Sequence, residues 1–132
     1  MKTEKQLQLV TFEQAKRLHK LGFNWAVNEV YGNGGRLYGV EYHFHINVVN
    51  MIKAPTVALA LKWCRDEKKI DNSVEFCGYN EFGARKWYES VYYKFKEELN
   101  AGHRIMVIRN KSYSVAESAL LDEILTILEK GN

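Results

Sequence analysis

Residues 114–130, followed by Gly131, constrain this 132-residue chain more than any other stretch. At about 100° per residue, Ala116, Leu120, Leu121, Ile124, Leu125, Ile127 and Leu128 share one half of a helix. Ser118, Asp122, Glu123, Thr126, Glu129 and Lys130 share the other. Ser114 and Glu117 fit a capping box at its start, and Gly131 fits the left-handed position past its end. An apolar face this wide suits lying on a sheet better than a coiled-coil seam. The helix is therefore expected to cover a small α+β core.

Two further stretches repeat that pattern. Residues 11–21 read as a short helix, with Thr11 and Gln14 as a capping box and Gly22 as a stop. Residues 55–69 read as a third, with Pro55 in its first turn and an inward arc of Val57, Leu59, Ala60, Leu61, Trp63 and Cys64. Cys64 is expected to be a packed thiol.

Between the helices the period falls to two. Residues 25–31 and 37–48 read as strands joined by the turn Gly32-Asn33-Gly34-Gly35, a hairpin. In the second, Tyr38, Val40, Tyr42, Phe44, Ile46 and Val48 alternate with polar residues, as in an antiparallel sheet covered on one side. Residues 74–79 and 84–93 form a second hairpin around Asn80–Gly83, and 105–108 a last short strand. Residues 88–101 fit strand or helix, since Tyr88, Val91, Tyr92, Phe95 and Leu99 also have helical spacing. The expectation is one domain, residues 1–132, of class α+β. A mostly antiparallel sheet carries about three helices on one face, in the order α-β-β-α-β-β-β-α.

Composition limits function more than it indicates it. A net charge of +3 is too small to argue for nucleic acid. Cys64 and Cys77 make no metal or disulfide framework. Residues 1–9 are polar and too short for a signal core, and no apolar run approaches a bilayer span. A cytoplasmic protein with reduced thiols, no membrane association and no cofactor is expected.

Two groups of residues carry candidate chemistry. Glu41, His43 and His45 alternate on one strand and so share a face; the two imidazoles at this spacing can supply metal ligands, with Glu41, His19 or His103 as a third. The simpler reading is the solvated side of an amphipathic strand. Arg85, Lys86, Trp87, Tyr88, Tyr92 and Lys94 interleave cations with rings, and Arg104, Arg109 and Lys111 follow. Such a set could stack bases and hold phosphates as a single-strand-binding surface. Glu89, Glu97 and Glu98 interrupt it, so inward-packed rings with solubilising charges are the simpler reading. The Gly-rich turn lacks the Lys-Ser/Thr of a phosphate loop.

Three stretches, Thr11-Phe-Glu-Gln-Ala-Lys-Arg-Leu-His-Lys-Leu-Gly-Phe23, Ala54-Pro-Thr-Val-Ala-Leu-Ala-Leu-Lys-Trp-Cys-Arg-Asp66 and Ala116-Glu-Ser-Ala-Leu-Leu-Asp-Glu-Ile-Leu125, resemble small uncharacterised bacterial proteins found around prophages and other mobile elements. The resemblance implies a bacterial or phage accessory protein and carries no site residue. The leading expectation is a non-enzymatic protein-interaction module, with an unidentified protein partner and a homodimer through an edge strand at 36–48 as options. A nucleic-acid binder and a metal-dependent enzyme are the alternatives.

Overall fold

The computed structural model describes residues 7–39, 51–79, 86–96 and 101–131. Three helices and two three-stranded antiparallel sheets make an α+β chain. It divides into two compact units, Met1–Ala60 and Leu61–Asn132.

The first unit opens with α1 (Phe12–Lys20). Its start is the capping box anticipated above. The Gln14 amide donates to Thr11 Oγ1 at 3.1 Å, and the Thr11 amide donates to Gln14 Oε1 at 3.0 Å. Gly22 ends it at φ +96, where the Phe23 amide returns to the Leu18 carbonyl. Strands β1 (Glu29–Tyr31), β2 (Leu37–Gly39) and β3 (Ile52–Lys53) form a sheet in the order β2-β1-β3. The hairpin between β1 and β2 turns through Asn33–Gly35. Gly35 has φ +83, and a Cβ there would meet the Phe12 ring at 2.9 Å, so glycine is required twice over. Val10, Ala15, Leu18, Phe23, Val30, Ala54 and Val57 are buried as this unit's core. The strand expected over 25–31 shrinks to its last three residues, because only these find a partner in β2.

Helix α2 (Val57–Glu67) contains the boundary between the units. Pro55 lies outside it: Thr56 caps the helix, its Oγ1 accepting from the Leu59 amide at 3.1 Å.

The second unit holds β4 (Asp71–Tyr79), β5 (Lys86–Lys96), β6 (Ala101–Asn110) and α3 (Tyr113–Glu129). The sheet runs β4-β5-β6, with β5 central. Helix α3 packs across all three strands. Ala116, Leu120, Leu121, Ile124 and Leu125 are fully buried, as the apolar stripe requires. Its cap differs from the expected one. Ser112, not Ser114, accepts from the Val115 amide at 3.3 Å, so the helix starts earlier. Glu117 then falls in the second turn, in line with Leu121 and Ile124, and is buried. Gly131 does end the helix, at φ +80.

Within the expected α+β class the structure adds four details. One sheet becomes two, since alternation identifies strands but not their partners. The element order gains the short β3. Residues 86–96 are strand, which decides the described part of the stretch that fitted either period, and Gly102 pairs with Phe95 inside β6. Both β4 and β6 extend beyond their expected ends.

Candidate functional site

Strand alternation gives the second unit's sheet two different faces. One turns toward α3. Tyr88 on β5 meets Tyr113 of α3 edge-on, with centroids 5.4 Å apart, and Ser90 between Tyr88 and Tyr92 is fully buried. Asn72 of β4, paired with Tyr92, donates to the Leu61 carbonyl of α2 at 3.2 Å and accepts from Arg65 at 2.9 Å.

The opposite face carries a ladder of charge. Arg104 of β6 donates to Glu75 of β4 and to Glu89 of β5, both at 2.9 Å. Arg109 of β6 donates to Glu89 through Nε at 2.9 Å and also through Nη2. Ser73 and Tyr93 donate their hydroxyls to Glu75 at 3.2 Å each. The Arg109 guanidinium lies 5.5 Å from the Trp87 ring centroid. Five residues apart on a regular strand, Arg104 and Arg109 would point to opposite faces. A β-bulge restores them to one face: Ser90 pairs with Ile108 but Val91 with Met106, so Val107 is the extra residue.

The charges on this face are matched. Arg109, then Arg104, holds the Glu89 carboxyl below its ordinary range. Arg104 does the same for Glu75, aided by Ser73 and Tyr93. Burial, and then the Glu89 carboxylate, pushes the Cys77 thiol up, so it stays protonated at neutral pH. Burial drives Cys64 to about 12. Neither thiol is poised as a nucleophile.

The sequence candidates are distributed as follows. Glu41, His43, His45 and Arg85 lie outside the described residues, as does all but the start of the strand expected at 37–48. Lys86 stands in β5, paired with Tyr79. Trp87 sits on the charged face, whereas Tyr88, Tyr92 and Lys94 alternate onto the α3 side, so the interleaved set is divided rather than presented as one surface. His19 is exposed in the first unit and His103 in the second. Among the described residues no group of three or more His, Cys, Asp or Glu side chains could hold a metal ion.

What the sequence reading missed is an aromatic row. Phe76 of β4, Tyr88 of β5 and Tyr113 of α3 stand in series, with centroids 5.8 Å and then 5.4 Å apart. The outer two rings remain open to solvent, Phe76 51 % and Tyr113 48 % exposed. Tyr113 received no role from the sequence because the helix was read as starting after it. Phe76 shares a face with Tyr88 only through the pairing of β4 with β5.

Comparison with known protein families, curated proteins and solved structures finds no match. Fold and surface together define a small α+β chain of antiparallel sheets. Among the described residues, no helix is long and apolar enough to cross a membrane.

Proposed function

We propose that this chain is a non-enzymatic, cytoplasmic protein-interaction module of the prophage and mobile-element kind, and that the row Phe76–Tyr88–Tyr113 is its contact surface. The carrying observation is the exposure of two large rings packed against a third, one tilted and one edge-on. Isolated exposed apolar residues are ordinary, but ordered aromatic groups concentrate binding energy at protein interfaces. Phe76 stands on β4, an edge strand of its sheet among the described residues. An extended partner segment laid along that edge, offering an apolar side chain, would meet the row directly.

The arginines support the same choice over a nucleic-acid role. Arg104 and Arg109 face carboxylates already, so a phosphate would have to displace Glu75 or Glu89. The second reading, single-strand binding, draws on a shallow depression where Trp87, Arg109, Asn110 and Lys111 meet. Salt-sensitive binding of a single-stranded oligonucleotide, lost in Trp87→Ala, would favour it.

The test uses immobilised protein in a bacterial lysate, with wild type and Phe76→Ser/Tyr113→Ser compared band by band. A partner retained by the wild type is expected to fall at least about tenfold with the double variant, as the loss of two anchor rings implies. The thermal midpoint should stay within a few degrees, since both rings are half exposed. Equal recovery by both proteins would sink the assignment of this row.

A further inference from the structure

A cavity of about 320 Å³ opens where α2 gives way to β4, lined by Lys68, Lys69, Ile70, Tyr92, Tyr93, Lys94 and Ile127. We propose that it binds a small phosphorylated compound bearing a planar ring, of mononucleotide size. The size lies at the low end for small-molecule sites. Three lysines line it and, among the described residues, no carboxylate does. Ammonium groups are compact point charges suited to phosphate oxygens. Tyr92, Ile70 and Ile127 supply the apolar wall and the ring surface that a planar group packs against.

Neither Lys68 nor Lys69 forms an ion pair among the described residues, although the Asp66 carboxylate lies close enough to feel the Lys69 charge. Lys69 donates to the Asp66 carbonyl at 2.7 Å, and Lys68 lies 5.3 Å from the Trp63 ring centroid; both partners are uncharged. The Asp66 carboxylate itself is paired with Lys62. Lys94 is exposed and makes no ion pair among the described residues. The nearby Glu123 bears on Tyr92, whose hydroxyl is held up mainly by burial and secondarily by that carboxylate.

The backbone gives an independent reason. Just past α2 the chain enters the left-handed region at Lys69, φ +61, and the Ile70 amide returns to the Cys64 carbonyl. Lys69 is the one described non-glycine residue with positive φ. The corresponding positions after α1 and α3 are Gly22 and Gly131. Glycine is the favoured residue for such a turn, and this chain uses it at both other helix ends. At the third end it carries a lysine in a strained conformation, and that lysine lines the cavity. Strain of this kind persists only where the surrounding structure imposes it, and it clusters at ligand-binding sites.

The test is isothermal titration at low salt with adenosine 5′-monophosphate, uridine 5′-monophosphate, adenosine, inorganic phosphate and a ten-nucleotide single strand. The mononucleotides are expected to bind with Kd below about 1 mM, and adenosine and phosphate alone at least about tenfold more weakly. Lys69→Gly and Lys94→Gln should each weaken mononucleotide binding by about fivefold or more through loss of a charge-assisted contact. Lys69→Gly keeps the test independent of folding, because relief of the left-handed strain should leave its Tm equal or a few degrees higher. No mononucleotide binding below 1 mM, unchanged affinity in both variants, or much tighter binding of the ten-nucleotide strand would overturn the proposal. Because the cavity shares no residue with the aromatic row except through the common sheet, either proposal can fail alone.

Discussion

Glu89→Ala is expected to destabilise the second unit by about 2 kcal/mol, measured by urea unfolding at pH 7. Glu89 is 9 % exposed and accepts from two arginines on the neighbouring strand. Removing its carboxylate leaves Arg109 without an ion pair among the described residues, and leaves Arg104 only Glu75. Both guanidinium groups are about half exposed, so water screens them and the cost stays below that of breaking a fully buried pair. Glu89→Gln should cost less, because an amide oxygen still accepts one hydrogen bond.

The same groups set the acid response. Glu75 and Glu89 are held below their ordinary range in the folded state. Their contribution is therefore fully present above the unfolded carboxylate range, near pH 4.3, and is lost as pH falls through their folded values. Glu117 acts in the opposite sense. Burial raises its carboxyl, so its contribution is largest at low pH and declines as pH rises through its folded value. Stability of the wild type should fall below about pH 4, and the gap to Glu89→Ala should narrow there. A gap independent of pH would show that the ladder's charge does not stabilise the sheet.

Ile124→Ala should be costlier, about 3 kcal/mol by the same measurement, with the slope against urea unchanged. Ile124 is fully buried in the middle of the α3 stripe that covers the sheet. A large-to-small change there removes apolar contact and leaves a cavity that a helix held across three strands cannot easily collapse. Thr126, half-buried two residues further on and about 200° round the helix, tolerates alanine far better on the same reasoning. A loss below about 1 kcal/mol for Ile124→Ala would contradict the packing of α3 against the sheet.

The helices were legible because each is announced by local chemistry. Thr11 with Gln14, Gly22, Gly131 and the stripe from Ala116 to Leu125 act over a few residues, and periodicity reports them directly. Strand β5 was legible only in part, as a strand over 84–93 that from residue 88 onward fitted a helix equally well, for a physical reason. It is central, and Ser90 and Val91 are both fully buried, so the two-residue alternation that marks a one-sided strand is absent there. Its rings then mimic helical spacing. The charged ladder was hidden for another reason: Arg104 and Arg109 share a face only because Val107 bulges, and a bulge has no signature in composition. The divided cation–ring set follows from the same strand geometry. The aromatic row needed two facts that lie beyond local pattern, the register of β4 on β5 and the start of α3 at Tyr113.

The proposed contact surface is the row Phe76–Tyr88–Tyr113. Hydrogen–deuterium exchange of the protein, free and with a captured partner bound, tests it directly. Slowed exchange is predicted in 73–79, 86–90 and 111–116, with Arg104 to Arg109 unchanged. Protection concentrated on 104–109, or none in the three segments, would contradict the account.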